Sequence, residues 1–125
     1  MKVYLVEDDK VYADFLLKSL NGKYEIQHFE TAEECLSALD SGHPEVLLLD
    51  YKLPGMNGID FFQQIESRVN GDTKVIMLSS IDDGNLVLDF IKKGIRDYVV
   101  KDDNVIQSLE AVIEGDDDYF FDDFD

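Results

Sequence analysis

Cysteine, proline and positive charge are all scarce in this chain, and each scarcity excludes something. A single cysteine, Cys35, cannot close an internal disulfide, so the fold must stand on its core, and a reducing cytoplasm is the setting to expect. Only 11 Lys and Arg stand against 28 Asp and Glu, for a net charge of −17. Phosphate backbones need a cationic surface, so direct nucleic-acid binding by this chain is not expected. No apolar run approaches the roughly 20 residues that span a bilayer, so no membrane partner is expected. There is no P-loop, no Cys/His spacing for zinc and no Ser-His-Asp pattern. No internal repeat or interdomain linker interrupts the pattern, and the N-terminus enters a strand directly, without a signal-peptide layout.

What is present is a chain of 125 residues, 45% apolar, enough for one domain with a real core. Two parts are visible. Residues 1–115 form the body, and residues 116–125 form an acidic, aromatic tail that is expected to be flexible. The tail carries six Asp and no cation, and its Tyr119, Phe120, Phe121 and Phe124 are unusual in a purely solvating end.

Along the body, short apolar runs alternate with segments of helical period. Strands are predicted at 2–6, 24–29, 46–49, 74–79 and 97–100. Between them, five stripes recur at helical spacing. They are Val11, Tyr12, Phe15, Leu16 and Leu20; Ala32, Cys35, Leu36 and Leu39; Ile59, Phe62, Ile65 and Val69; Val87, Phe90 and Ile91; and Val105, Ile106, Leu109, Val112 and Ile113. Thr31 and Glu34 have capping-box spacing, and Gly94 can end the fourth helix.

Five β-α units imply an α/β fold, a doubly wound (βα)5 three-layer sandwich around a five-stranded parallel sheet. Strands one, three and four are continuously apolar, as strands buried on both faces must be. The second strand, Tyr24 to Phe29, alternates as an edge strand would, which favours the order 2-1-3-4-5. Ligands of such sheets bind beyond the carboxyl ends of the strands, at the switch point between strands one and three.

Chemistry-bearing residues collect at those ends. Glu7, Asp8 and Asp9 follow strand one. Asp50 closes Val46-Leu47-Leu48-Leu49 and opens a turn shaped by Pro54 and Gly55. Ser79 and Ser80 follow strand four, and Lys101 follows strand five. Clustered carboxylates repel one another, and an oxygen-coordinated cation relieves the repulsion. Mg2+ fits best, because it accepts few carboxylates and completes its octahedron with waters and a phosphate. Lys101 supplies a compact positive charge for a phosphate oxygen, and Ser79 a hydroxyl donor for another. Together these groups can stabilise in-line phosphoryl transfer to Asp50. Asp9 reads as a helix cap. His28 and His43 read as structural or solvent-facing, away from the strand-end site.

The motifs Val6-Glu7-Asp8-Asp9, Leu49-Asp50-Tyr51-Lys52-Leu53-Pro54-Gly55-Met56-Asn57-Gly58, Leu78-Ser79-Ser80 and Asp97-Tyr98-Val99-Val100-Lys101 resemble those of a response-regulator receiver domain of two-component signalling. The resemblance covers residues 1 to about 114, and the second motif is the specific one. It implies that Asp50 is the phosphoacceptor. Glu7, Asp8 and Asp50, with the Lys52 backbone carbonyl, would hold Mg2+ or Mn2+. Lys101 would bind phosphate, and Ser79 and Tyr98 would be the switch pair. Lys52 and Ile81, flanking the path of attacking water, would tune dephosphorylation. The implied phosphodonor is a phosphohistidine on a sensor histidine kinase or a histidine phosphotransfer protein. The implied output is a change in the face formed by helix four, strand five and helix five. That face would meet an output protein, an effector domain missing from this chain, or a second copy in a homodimer. A receiver of this kind is a signalling element, not a turnover enzyme.

Two departures accompany the resemblance. Many receivers follow the lysine with proline, and here Asp102 stands there. Many also continue into an effector domain, and here an acidic tail follows helix five. Rival readings are weaker. A haloacid-dehalogenase-type phosphatase needs an acid two residues after its Asp, where this chain has Lys52. A flavodoxin-like FMN carrier needs a hydroxyl-rich phosphate loop where Glu7-Asp8-Asp9 would repel the phosphate. A degenerate receiver, acting only as a binding module, is the remaining alternative.

Overall fold

The structure is a computed structural model that describes residues 1–69, 73–80 and 84–115. The continuous apolar run of β3 (Val46–Asp50) forms the middle of the sheet, and all five of its residues are buried. It lies between β1 (Lys2–Val6) and β4 (Lys74–Ser79). Beyond them, β2 (Glu25–Phe29) and β5 (Asp97–Val100) are the edges, giving the parallel order β2-β1-β3-β4-β5. The strands fall within a residue of their sequence expectations. Strand three runs one residue further, because Asp50 pairs in register with Leu78. Strand two begins one residue later, at Glu25.

The helices α1 (Lys10–Leu20), α2 (Ala32–Leu39), α3 (Gly58–Val69), α4 (Gly84–Lys92) and α5 (Val105–Ile113) cover both faces. Side chains alternate across a strand, so each strand feeds both layers. Val3, Leu5, Val46, Leu48, Ile76, Leu78 and Val99 pack against α1 and α5. Tyr4, Val6, Leu47, Leu49 and Met77 pack against α2, α3 and α4. Each fully buried Leu among them contributes about 1.5–3 kcal/mol relative to exposure. Cys35 is one of these core side chains, and burial pushes its thiol up to about 12, so it stays an inert thiol.

Local signals set the helix ends. Asp9 caps α1 by accepting from the main-chain N–H groups of Val11 and Tyr12, at 3.0 and 3.2 Å. Thr31 Oγ1 accepts from Glu34 N at 3.1 Å, and Asn57 Oδ1 accepts from Asp60 N at 2.9 Å. Gly94 follows α4 at φ +91°, where a side chain would be strained.

Two helical stripes differ from expectation. On α1 the buried residues are Ala13, Leu16 and Leu20, while Val11 and Phe15 are 81% and 47% exposed. The apolar residues of α1 straddle two faces, and the helix settles on the one where small Ala13 admits close approach to the sheet. On α4 only Phe90 is buried, and Ile91 is 62% exposed. This helix meets the core chiefly through Phe90, with Leu86 half-buried beside it.

Candidate functional site

The parallel register brings the carboxyl ends of β1, β3, β4 and β5 together, and with them Glu7, Asp50, Ser79 and Lys101. Ser79 pairs with Val100, and Lys101 N donates to the Ser79 carbonyl at 2.8 Å. The lysine is thereby fixed at the mouth of the site, and Asp102 follows it. Asp102 N donates to the Val100 carbonyl at 2.9 Å, and Asp102 Oδ1 accepts from Asn104 N at 2.9 Å. These bonds shape the loop that leads into α5.

Lys101 Nζ donates to Glu7 Oε1 at 2.6 Å and stands 3.0 Å from Asp50 Oδ1. Glu7, Asp50 and Ser79 are buried, and Asp8 is exposed at the rim. Carboxylate oxygens of Glu7, Asp8 and Asp50 lie within 4.8 Å of one another. This all-oxygen donor set, open to water on the Asp8 side, fits a hard divalent cation that keeps several waters. The expected site residues are thus brought together. The Lys52 side chain is exposed in the loop directly after Asp50. Ile81 lies outside the described residues.

Burial dominates the electrostatics. It pushes the Glu7 carboxyl from 4.5 up to about 7, against the pull of the Lys101 hydrogen bond, and the neighbouring Asp50 charge adds to the rise. Burial also disfavours the Lys101 ammonium, but the bonds and charges of Glu7 and Asp50 outweigh it and raise its pKa. One ammonium serves two carboxylates, so a negative charge is left for a cation or a proton to neutralise.

The loop after Asp50 is packed tightly beneath the site. Gly58 N donates to the Tyr51 carbonyl at 2.7 Å. A Cβ at Gly58 would come within 2.7 Å of Met77 Sδ and 2.9 Å of the Asp50 carbonyl. Only glycine lets α3 start so close to β3.

Three residues near the site escaped the sequence reading. Tyr12, read as a core position, turns its ring beneath Lys101, with Nζ 4.5 Å from the ring centroid. Its place in the first turn after strand one was the available signal, since that turn overlooks the strand end. His28, read as away from the site, adjoins it through the main chain. Its Nε2 donates to the Glu7 carbonyl at 2.7 Å, which ties edge strand β2 to the residue bearing the buried carboxyl. Tyr51 packs against Phe90, with ring centroids 5.7 Å apart, and Phe90 packs against half-buried Tyr98 at 6.1 Å. This aromatic chain leads from the neighbour of Asp50 through α4 to β5. No sequence signal links residues so far apart.

The chain is similar to known proteins along nearly its whole length. The family model of the response regulator receiver domain matches residues 3–113. The chemotaxis protein CheY of Listeria monocytogenes is 31% identical over 112 residues, which span 85% of this chain and 93% of that protein. A protein-glutamate methylesterase/protein-glutamine glutaminase of Paramagnetospirillum magneticum is 36% identical over 107 residues, 81% of this chain but 30% of that longer protein. Among solved structures, the response regulator TrrA of Thermotoga maritima in complex with Mg2+-BeF superposes with a TM-score of 0.77 at 27% identity, over 90% of this chain and 96% of that one. A Francisella receiver domain gives 0.76 at 25% identity, with the same coverages. The family match runs from β1 to the last residue of α5, and the chain therefore belongs to the response-regulator receiver domains of two-component signalling.

Proposed function

We propose that this receiver takes a phosphoryl group onto Asp50 from a phosphohistidine of a sensor histidine kinase or a histidine phosphotransfer protein. The observation that carries the reading is the buried cluster in which Lys101 bridges Glu7 and Asp50 while three carboxylate oxygens converge within 4.8 Å. An Asp50 carboxylate oxygen attacks phosphorus, the P–N bond to the donor imidazole breaks, and the leaving nitrogen takes the electron pair. Lys101 Nζ and Ser79 Oγ donate to the phosphoryl oxygens as charge shifts onto them. Glu7, Asp8, Asp50 and the Lys52 carbonyl would hold Mg2+ or Mn2+, which when bound neutralises the oxygens of donor and acceptor. Lys52 beside Asp50 tunes the later attack of water, as does Ile81. The chain acts as a signalling element in a reducing cytoplasm, not as a turnover enzyme.

The signal then passes by packing. A phosphoryl group on Asp50 draws Ser79 toward it, and Tyr98 turns into the space beside Phe90. This shifts a pre-existing equilibrium of the face built from α4, β5 and α5, which an output protein reads. Incubation with Mg2+ and acetyl phosphate tests the reading. Intact-protein mass should rise by one phosphoryl group in the native chain and stay unchanged in Asp50→Asn. A native chain that takes up nothing under these conditions is the degenerate binding module instead.

A further inference from the structure

Among the described residues, helix α4 carries the most exposed large apolar side chains outside α1. Leu88 is 52% and Ile91 62% exposed. Both lie on one side of the helix with Lys92, at the three- and four-residue spacings that bring side chains together. Phe90 points the other way, into the core. Just beyond stand Lys93 and Arg96, so three of the chain's 11 cations fall within five positions. Among the described residues, none of these three takes part in an ion pair. Asp89 is the sole acid on α4. Glu66 Oε2 lies 3.8 Å from where a Cβ at Gly94 would stand, and Asp97 follows Arg96, so three cations balance three acids around an apolar patch in an otherwise strongly acidic protein.

We infer that residues 116–125 of the same chain are the occupant of this patch, with Tyr119, Phe120, Phe121 and Phe124 against Leu88 and Ile91, and the aspartates facing Lys92, Lys93 and Arg96. The composition of the segment is the complement of the patch, four aromatics and six Asp. Its root is also close. A Cβ at Gly115 would lie 3.9 Å from Lys74 Nζ, and Lys74 opens β4, the strand paired with β5. Arg96 immediately precedes β5. The root is therefore one strand away from Arg96, and ten extended residues reach about 33 Å.

A second surface competes for the segment. A groove of about 230 Å³ between α1 and β2 is lined by Leu17, Lys18, Asn21, Tyr24 and Ile26. Tyr24 already bonds Glu114 beside the root. Charge decides against it. Lys18 and Lys23 are paired there with Asp14 and Glu110, and Glu25 and Glu114 add further negative charge. Two cations face four acids there, whereas Lys92, Lys93 and Arg96 face only Asp89, Glu66 and Asp97, so six aspartates meet less repulsion at α4. The docking does not depend on phosphoryl chemistry. Its consequence rests on the reading above, in that a segment seated on α4 covers the face an output protein needs.

The test compares amide spectra of the full chain and of a chain ending at Gly115, both without Mg2+ or phosphodonor. The shorter chain folds, since all ten elements end by Ile113. The amides of Leu88, Ile91, Lys92 and Arg96 should differ between the two. Lys92→Glu/Arg96→Glu in the full chain should weaken docking at least tenfold, and Phe120→Ser/Phe121→Ser should reproduce the shorter chain's spectrum. Salt near 1 M, where the Debye length is about 3 Å, should do much the same. Superimposable α4 amides overturn the inference. So do differences confined to Leu17, Tyr24 and Ile26, or differences that vanish on dilution, which would mean a second copy is the occupant. Phosphoryl uptake is measured separately, so failure of either reading leaves the other standing.

Discussion

The two ends of the sheet hold the same kinds of residue and use them differently. At the amino ends, charged side chains bond to main chain or face water. Lys74 Nζ donates to the Val112 carbonyl at 2.8 Å, and Thr73 Oγ1 donates to the Pro44 carbonyl at 2.7 Å. Glu25 and Glu45 are exposed, and their main-chain N–H groups continue the ladder to Met1 and Lys2. Each charge there is satisfied locally and closes an element. At the carboxyl ends, Glu7, Asp50 and Lys101 are withdrawn from water and bond chiefly to one another. Buried charges of unequal number leave a deficit that a ligand can fill. A strand end becomes a site when its charges answer to each other instead of to the backbone.

This contrast can be broken at either end. The largest effect belongs to Asp50→Asn, for which phosphoryl uptake by intact mass should vanish while the circular dichroism spectrum is kept. Lys101→Met should slow uptake from acetyl phosphate by about 10²–10³-fold, the usual cost of losing one charge-stabilising donor. It should also leave the carboxylates repelling each other, so that added Mg2+ raises the melting temperature of this variant more than that of the native chain.

The pH dependence sharpens the comparison. Glu7 is at about 7 in the folded chain and near 4.5 when exposed. Between those values the folded state binds the extra proton, so metal-free stability should fall as pH rises from about 4.5 through 7. Mg2+ competes with that proton, so apparent Mg2+ affinity should rise across the same window, with proton release seen by calorimetry in buffers of different ionisation heat. A flat Mg2+ affinity from pH 5 to 8 would contradict the buried state of Glu7.

The amino end should respond in stability alone. Thr73→Val removes a buried hydrogen bond and should cost about 1 kcal/mol in urea unfolding, with uptake unchanged. Smallest of all, Lys18→Ala breaks an exposed pair with Asp14 at 2.9 Å and should stay within about 0.5 kcal/mol of the native chain.

Much of this was readable in the sequence. Apolar runs of three or four residues, ended by an acid, a hydroxyl or a lysine, marked strands one, three, four and five and the candidate site residues at their tips, because a strand tip is where the chain leaves the core for water. Asp9 and Thr31 announced their caps by position. Reading failed where two faces of one helix were equally apolar. Val11 and Phe15 satisfy the same spacing rule as Leu16 and Leu20, and packing alone chose between them. It failed again for Tyr12, His28 and the Tyr51, Phe90 and Tyr98 chain, whose partners lie on other elements.

The order of residues along the chain by itself determined the five β-α units, the parallel sheet and which side chains stand at its carboxyl edge. Alternation and helical period act between near neighbours, and a linear sequence records them directly. The tertiary structure alone decided that Lys101 would bridge Glu7 and Asp50, that a tyrosine would lie under it, and that α4 would turn Leu88 and Ile91 away from the core. Those outcomes depend on distances between segments far apart in the chain, which are set only when the sheet assembles and one packing excludes the others.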